Sequence, residues 1–175
     1  NNRIINCTLK ANVTAGNAVG VIWFVDDTFN GDNNVVDNCN LTQNGGGAYC
    51  GIALRGLAPA TMTNDTIRNS RFYDIGYLGA TSFLGYGIRN VEGTIGLVVE
   101  NNEFYTVVPY VGSAAFQSVG IVIGSGATNP ITGTIVRNNL IHDLNAVTAN
   151  FIAGVNVGGF NVNGMVVEGN TIRDL

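Results

Sequence analysis

An apolar residue, a residue that is polar in all but the first copy, a turn-forming Asn or Gly, a small residue and, two places further on, another apolar residue recur six times along this chain. The first copy is Ile4-Ile5-Asn6-Cys7-Thr8-Leu9 and the last is Val167-Glu168-Gly169-Asn170-Thr171-Ile172; the others start at Val36, Ile67, Val99 and Val136. Measured at the small residue, the steps are 32 (Cys7 to Cys39), 31 (to Ser70), 32 (to Asn102), 37 (to Asn139) and 31 (to Asn170). A period of this size is the signature of a stacked repeat architecture. An all-helical array would show a 3.6-residue rhythm, and a sandwich would show hairpin signals every 8 to 12 residues or so. Neither pattern is present.

Alternation along a strand assigns each position a direction. The first apolar residue points inward, and its neighbour points outward. Asn or Gly follows because both tolerate a left-handed backbone, so the chain turns there. The small residue then points inward (Cys7, Cys39, Ser70, Asn102, Asn139, Asn170), and the final apolar residue (Leu9, Leu41, Phe72, Phe104, Ile141, Ile172) shares its parity. A column of small polar residues inside a turn is expected to hydrogen-bond from rung to rung.

A second anchor, Gly before an apolar residue, falls between the copies: Gly20-Val21, Gly51-Ile52, Gly87-Ile88, Gly120-Ile121 and Gly154-Val155. Each period therefore holds three extended pieces. The length variation falls in stretches rich in small and polar residues, such as 76–82, 109–115 and 145–150, which read as loops at one corner. The expectation is an all-β fold, a right-handed parallel β-helix of about five to six rungs with three strands each, spanning residues 1–175 as one solenoid segment. Both termini fall within a repeat, so the segment is expected to continue in a longer repeat protein. Trp23 shares the parity of Val21 and is expected to be buried.

Only 11% of the residues are charged and the net charge is −4. The eight basic residues are scattered, which argues against nucleic acid as a partner. No apolar run approaches the roughly 20 residues that span a bilayer.

The Asn-turn spacing resembles the coils of the pectate-lyase-like superfamily of parallel β-helices. That resemblance implies the fold; across the superfamily it goes with polysaccharide lyases, glycoside hydrolases, tailspikes and surface adhesins alike. The Asn-Thr-Asp, His-Gly and Arg-Ile-Lys motifs of polygalacturonase-like hydrolases do not occur here, and the one Lys is Lys10. The Asn- and Thr-rich, Lys-poor composition resembles segments of large secreted or cell-surface bacterial proteins, which implies an extracellular location.

Three sets of residues stand out as candidate sites. The outward column Lys10, Thr42, Tyr73, Tyr105, His142, Arg173, with Asp74, Asp143 and Asp174 beside it, pairs aromatic rings with carboxylates and a guanidinium. Tyr73, Asp74, Tyr105, His142 and Arg173 are candidates for carbohydrate binding, because aromatic faces suit sugar rings and charged groups suit hydroxyls. Asp143 and Asp174, one rung apart, are the candidate catalytic carboxylates at the separation of about 5 Å found in retaining glycosidases. The stretch from Asp26 to Asp37 offers Asp26, Thr28, Asn30, Asp32 and Asp37 as calcium ligands around Gly31, since Ca2+ takes about six to eight oxygens; Asp-Asn-Gly clusters are equally ordinary turn chemistry.

The remaining features are less committal. The outward column Ile5, Asp37, Arg68, Glu100, Arg137, Glu168 alternates in sign from the second copy onward and reads as an ion-pair ladder. Cys7 and Cys39 share a position on adjacent rungs, open to a disulfide or to two buried thiols. Asn6, Asn12, Asn40 and Asn64 head formal glycosylation sequons. The reading for function is a structural or adhesive segment of an extracellular fibre, stalk or adhesin. Polysaccharide or cell-surface glycan and further copies of the solenoid are its expected partners. The alternative is the barrel of a polysaccharide-acting enzyme or tailspike.

Overall fold

The turn-forming position of the repeat bends every rung. In the computed structural model, which describes residues 1–11, 20–26, 31–43, 50–58, 61–76, 83–107, 116–126, 128–144, 151–159 and 161–175, its φ is 56° at Asn6, 52° at Asn38, 51° at Asn69, 55° at Asn101, 54° at Asn138 and 62° at Gly169. A left-handed backbone of this kind is cheapest for Gly and Asn, which explains the restricted choice.

The strands are β1 (Arg3–Ile5), β2 (Thr8–Ala11), β3 (Ile22–Asp26), β4 (Val35–Asp37), β5 (Asn40–Gln43), β6 (Cys50–Gly56), β7 (Met62–Thr63), β8 (Thr66–Arg68), β9 (Arg71–Ile75), β10 (Phe83–Glu92), β11 (Thr94–Ile95), β12 (Val98–Glu100), β13 (Glu103–Val107), β14 (Phe116–Ile123), β15 (Ile131–Thr132), β16 (Ile135–Arg137), β17 (Leu140–Ile141), β18 (Phe151–Val157), β19 (Val162–Asn163), β20 (Val166–Glu168) and β21 (Thr171–Ile172). They stack into four parallel sheets. Sheet I runs β1-β4-β8-β12-β16-β20, sheet II β2-β5-β9-β13-β17-β21, sheet III β3-β6-β10-β14-β18 and sheet IV β7-β11-β15-β19. The result is a parallel β-solenoid. Among the described residues no helix is long and apolar enough to cross a membrane.

Two expectations change. Each complete turn carries four strands rather than three, and the four strands of sheet IV mark about four complete turns rather than five to six. Sheet IV was invisible in the sequence because its strands are two residues long, too short for alternation to register. A further left-handed column follows it, at Asn33 (φ 59°), Asn64 (56°), Gly96 (68°), Gly133 (67°) and Gly164 (62°).

The interior is filled by apolar columns facing inward from the sheets. Val36, Ile67, Val99 and Val136 of sheet I are buried, as are Leu41, Phe72, Phe104 and Ile141 of sheet II. The rings of Phe72 and Phe104 stack with centroids 4.7 Å apart. The Gly anchor exists for these side chains. A Cβ on Gly51 would lie 2.6 Å from Phe72 Cδ1, one on Gly120 2.9 Å from Ile141 Cγ2 and one on Gly154 2.7 Å from Ile172 Cγ2; one on Gly87 would overlap Phe104 Cδ1. Sheet III thus closes on the sheet II column through hydrogen atoms alone.

The inward polar column forms a directed ladder. Ser70 N–H donates to Asn102 Oδ1 (3.0 Å), Asn102 N–H and Nδ2–H to Asn139 Oδ1 (3.0 and 3.1 Å), and Asn139 N–H and Nδ2–H to Asn170 Oδ1 (both 2.9 Å). The amides of Asn102, Asn139 and Asn170 also donate to the carbonyls of Ile67, Val99 and Val136. The ladder continues downward into sulfur. Cys39 N–H donates to Ser70 Oγ (3.1 Å), and Cys7 N–H meets the Cys39 thiol. Cys7, Cys39 and Cys50 are unbridged.

Candidate functional site

The outward column of sheet II is assembled as the spacing requires. Tyr73 lies opposite Tyr105, and the register through Phe104↔Ile141 and Ile141↔Ile172 carries the column on to His142 and Arg173. Tyr73 and Tyr105 stack at 5.2 Å and 4° between planes, and Tyr105 and His142 stack at 5.6 Å and 16°. Each ring therefore covers the face of the next and leaves edges for solvent. The column is held by charge at its flank. Arg71 Nε meets Glu103 Oε2 at 3.0 Å, and the His142 ring lies between Glu103 Oε1 (3.3 Å from Nε2) and Asp143 Oδ2 (2.6 Å from Nδ1). Burial in the stack, and then the Glu103 carboxylate, raise the Tyr105 phenol above its ordinary value.

Asp74, Asp143 and Asp174 have φ of 52°, 48° and 52°, and Thr106 in the same place has 47°. They form another left-handed turn, and Asp is among the few residues with a side chain that accept it. Asp74 is tied across the rungs: Thr106 Oγ1–H donates to Asp74 Oδ1 (2.7 Å) while accepting from Asp74 N–H (3.1 Å). Asp174 pairs with Arg173. The two candidate catalytic carboxylates each thus engage the residue just before them.

The calcium candidates divide between separate neighbours. Asp32 Oδ1 accepts from Thr63 N–H (3.2 Å) and Oγ1–H (2.5 Å). Asp37 accepts from Arg68 Nε (3.0 Å) and Nη2 (2.9 Å) and from Asn69 Nδ2 (2.9 Å). The Asn69 bond, opposed by burial and joined by Arg68, holds the Asp37 carboxyl below its usual range. Asp26 closes β3 opposite Gly56, while Thr28 and Asn30 lie outside the described residues. Among the described residues no three His, Cys, Asp or Glu side chains gather in a cluster fit for a metal ion.

The sign-alternating column forms its pairs two by two. Arg68 binds Asp37, and Arg137 Nη2 binds Glu100 Oε2 at 2.7 Å.

The outer face of sheet III carries a feature that sequence reasoning missed. Cys50, Tyr86 and Val119 are buried on this face, next to Ala53 and Val122, and make an apolar floor outside the barrel. Two adjoining clefts of about 470 Å³ and 340 Å³ lie here, the larger over Tyr86 and Val122, and Arg89, Ser125 and Gly126 line both. Arg89 is fixed in place: its Cζ lies 5.7 Å from the centroid of the Tyr86 ring, and its Nε donates to Ser125 Oγ at 2.9 Å. Tyr86 in turn donates to Gln117 Oε1 (3.0 Å), and burial pushes its phenol up to about 12. Among the described residues no carboxylate pairs with Arg89, whereas Arg55, Arg68, Arg71, Arg137 and Arg173 each have one.

The smaller cleft also holds Trp23, which is 50% exposed and not buried as its parity suggested. The chain bends at Val21, so Val21 and Ile22 both pack against the core and Trp23, in register with Ala53, faces out. The acid in this cleft, Glu92, is buried and clamped by Arg55 Nε (3.0 Å) and the Asn129 N–H (3.2 Å). Burial alone would raise its carboxyl, but those donors outweigh it and hold the group below its ordinary value. The cleft residues are scattered from Trp23 to Gly159 and do not repeat, so no period could reveal them. Comparison with known proteins returns nothing: no family model, curated protein or solved structure matches the chain.

Proposed function

We propose that this chain is a rigid segment of an extracellular fibre, stalk or surface adhesin, and that it grips glycan in the paired clefts on sheet III. The observation that carries the reading is Arg89, a guanidinium held by an aromatic face and a hydroxyl between two clefts, with no described carboxylate to neutralise it. A fixed, unpaired guanidinium suits the carboxylate or sulfate of an acidic sugar, and an exposed Trp suits a pyranose face. Stacking takes both faces of the Tyr105 ring and one face each of Tyr73 and His142, so this column serves as a supporting contact surface for hydroxyls. The repeated columns stiffen the rod, and the unrepeated face supplies the grip.

A glycan array followed by calorimetry with uronate-containing oligosaccharides tests this. Binding is expected to weaken at least tenfold in Arg89→Ala and in Trp23→Ala, with melting temperature little changed, and to persist in Tyr73→Ala. An array without signal overturns the glycan reading. The enzymatic alternative rests on Asp143 and Asp174, which follow the in-register pair Ile141↔Ile172 on adjacent rungs. It requires sugar release from uronic-acid polymers that Asp143→Ala or Asp174→Ala abolishes.

A further inference from the structure

The two sulfurs in the inward ladder are a pair rather than two isolated substitutions. Strand register holds on both sides of them: Ile5 lies opposite Asp37 before the turn, and Thr8 opposite Asn40 after it. Cys7 is therefore aligned with Cys39, one rung apart. Neighbouring rungs are about 4.8 Å apart, inside the range of Cα separations of about 4.4–6.8 Å that a disulfide spans. The two thiols are neighbours: the Cys39 sulfur lies within interacting reach of the backbone N–H and the side chain of Cys7. Their other contacts are weak sulfur bonds to carbonyls: Cys7 Sγ to Ile5 O at 3.2 Å, and Cys39 Sγ to Asp37 O at 3.3 Å and Ile4 O at 3.5 Å. Covalent linkage therefore removes no Asn–Asn bond from the ladder.

We infer that Cys7 and Cys39 are a redox-modifiable couple, which a small-molecule disulfide converts into a covalent staple between the first two rungs of sheets I and II. Cys7 is half-buried and Cys39 is buried, which sets the order of events. The Cys7 thiolate attacks one sulfur of oxidised glutathione, forms a protein–glutathione disulfide and expels one glutathione thiolate. Cys39 then gives its proton to solvent and attacks the Cys7 sulfur. The Cys7–Cys39 bond forms as the second glutathione thiolate leaves. The two protein thiols are oxidised and one glutathione disulfide is reduced to two thiols, so atoms and electrons balance. Cys50 takes no part, because it lies wholly buried on the outer face of sheet III, in another layer of the molecule.

The test is incubation of the fully reduced chain with oxidised glutathione, followed by intact mass and alkylation mapping. The expected product has lost two hydrogens, alkylates at Cys50 alone after unfolding, and melts about 5–10 °C higher than the reduced chain until dithiothreitol is added. Cys39→Ser is expected to stop at the stage of one bound glutathione on Cys7, while Cys50→Ala still forms the staple. A wild-type product that retains glutathione on Cys7, a bridge that includes Cys50, or recovery of both Cys7 and Cys39 as alkylated thiols overturns the proposal.

Discussion

At the scale of single residues, the positions that matter most are those with no slack on one side. Gly87 is the clearest. Its backbone is not in the left-handed region, yet a methyl group there would collide with the Phe104 ring and with the Gly120 carbonyl of the neighbouring rung. A ring can yield and a hydrogen-bonded backbone cannot, so Gly87→Ala is expected to cost about 3 kcal/mol in chemical denaturation.

Asp65 is a different case, a buried acid that forms no salt bridge among the described residues, the N-terminal ammonium acting on it only as the weakest influence. Its Oδ1 accepts from Asn34 N–H (2.8 Å) and Nδ2–H (3.0 Å), and Asn34 Oδ1 accepts in turn from Asn2. Burial above all, with the Asp32 carboxylate adding to it and the Asn34 donors opposing, pushes the Asp65 carboxyl up to about 6. The native state then holds the proton more tightly than the unfolded chain, whose Asp titrates near 3.9 or so. Stability from this group is full below about pH 4 and is lost as pH rises through about 6. Asp65→Asn keeps the acceptor and removes the charge. It is expected to raise stability at pH 7 by about 1–2 kcal/mol, with no gain at pH 4, in denaturant titrations at the two pH values.

At the scale of elements, stability rests on columns rather than on strands, several of which are only two residues long. The amide ladder is the strongest of them. Removing the Asn102 side chain strands the Ser70 N–H and the Ile67 carbonyl inside the turn, and Asn102→Ala is expected to cost roughly 3 kcal/mol. By contrast Arg137→Ala, which cuts a half-exposed ion pair with Glu100, is expected to cost well under about 1 kcal/mol in the same assay. The two variants measured side by side rank the inward column against the outward one.

These columns were legible in the sequence because each position has one job that few residues can do. Asn and Gly at the turn, Asn in the ladder and opposite charges outside all reflect contacts between residues about 32 apart, which repeat by construction. The Asn33 turn column, Asn33, Asn64, Gly96, Gly133 and Gly164, uses the same two residue types at the same spacing and was equally open to reading; sheet IV was not, because a two-residue strand shows no alternation. The candidate sites were harder still. The Tyr73 column could be located from its period, but its rings stack face to face, which spacing cannot foretell. The Arg89 clefts lie beside a local bend at Val21 and a register shift between Asn90 and Glu92, and neither leaves a repeating trace.

At the scale of the whole molecule, a solenoid is a one-dimensional stack in which each rung is supported only by its neighbours. Native-state hydrogen exchange is expected to show a graded opening of rungs rather than a single global one. Uniform protection across all rungs would contradict this picture. The chain also contains one Trp, and it stands half in solvent at the rim of the smaller cleft. An indole with one side packed and the other wet responds to whatever covers it. The molecule therefore carries its own optical reporter at the place where an occupant would arrive, so that filling of the cleft can be followed by a blue shift and by protection from acrylamide, with no label attached.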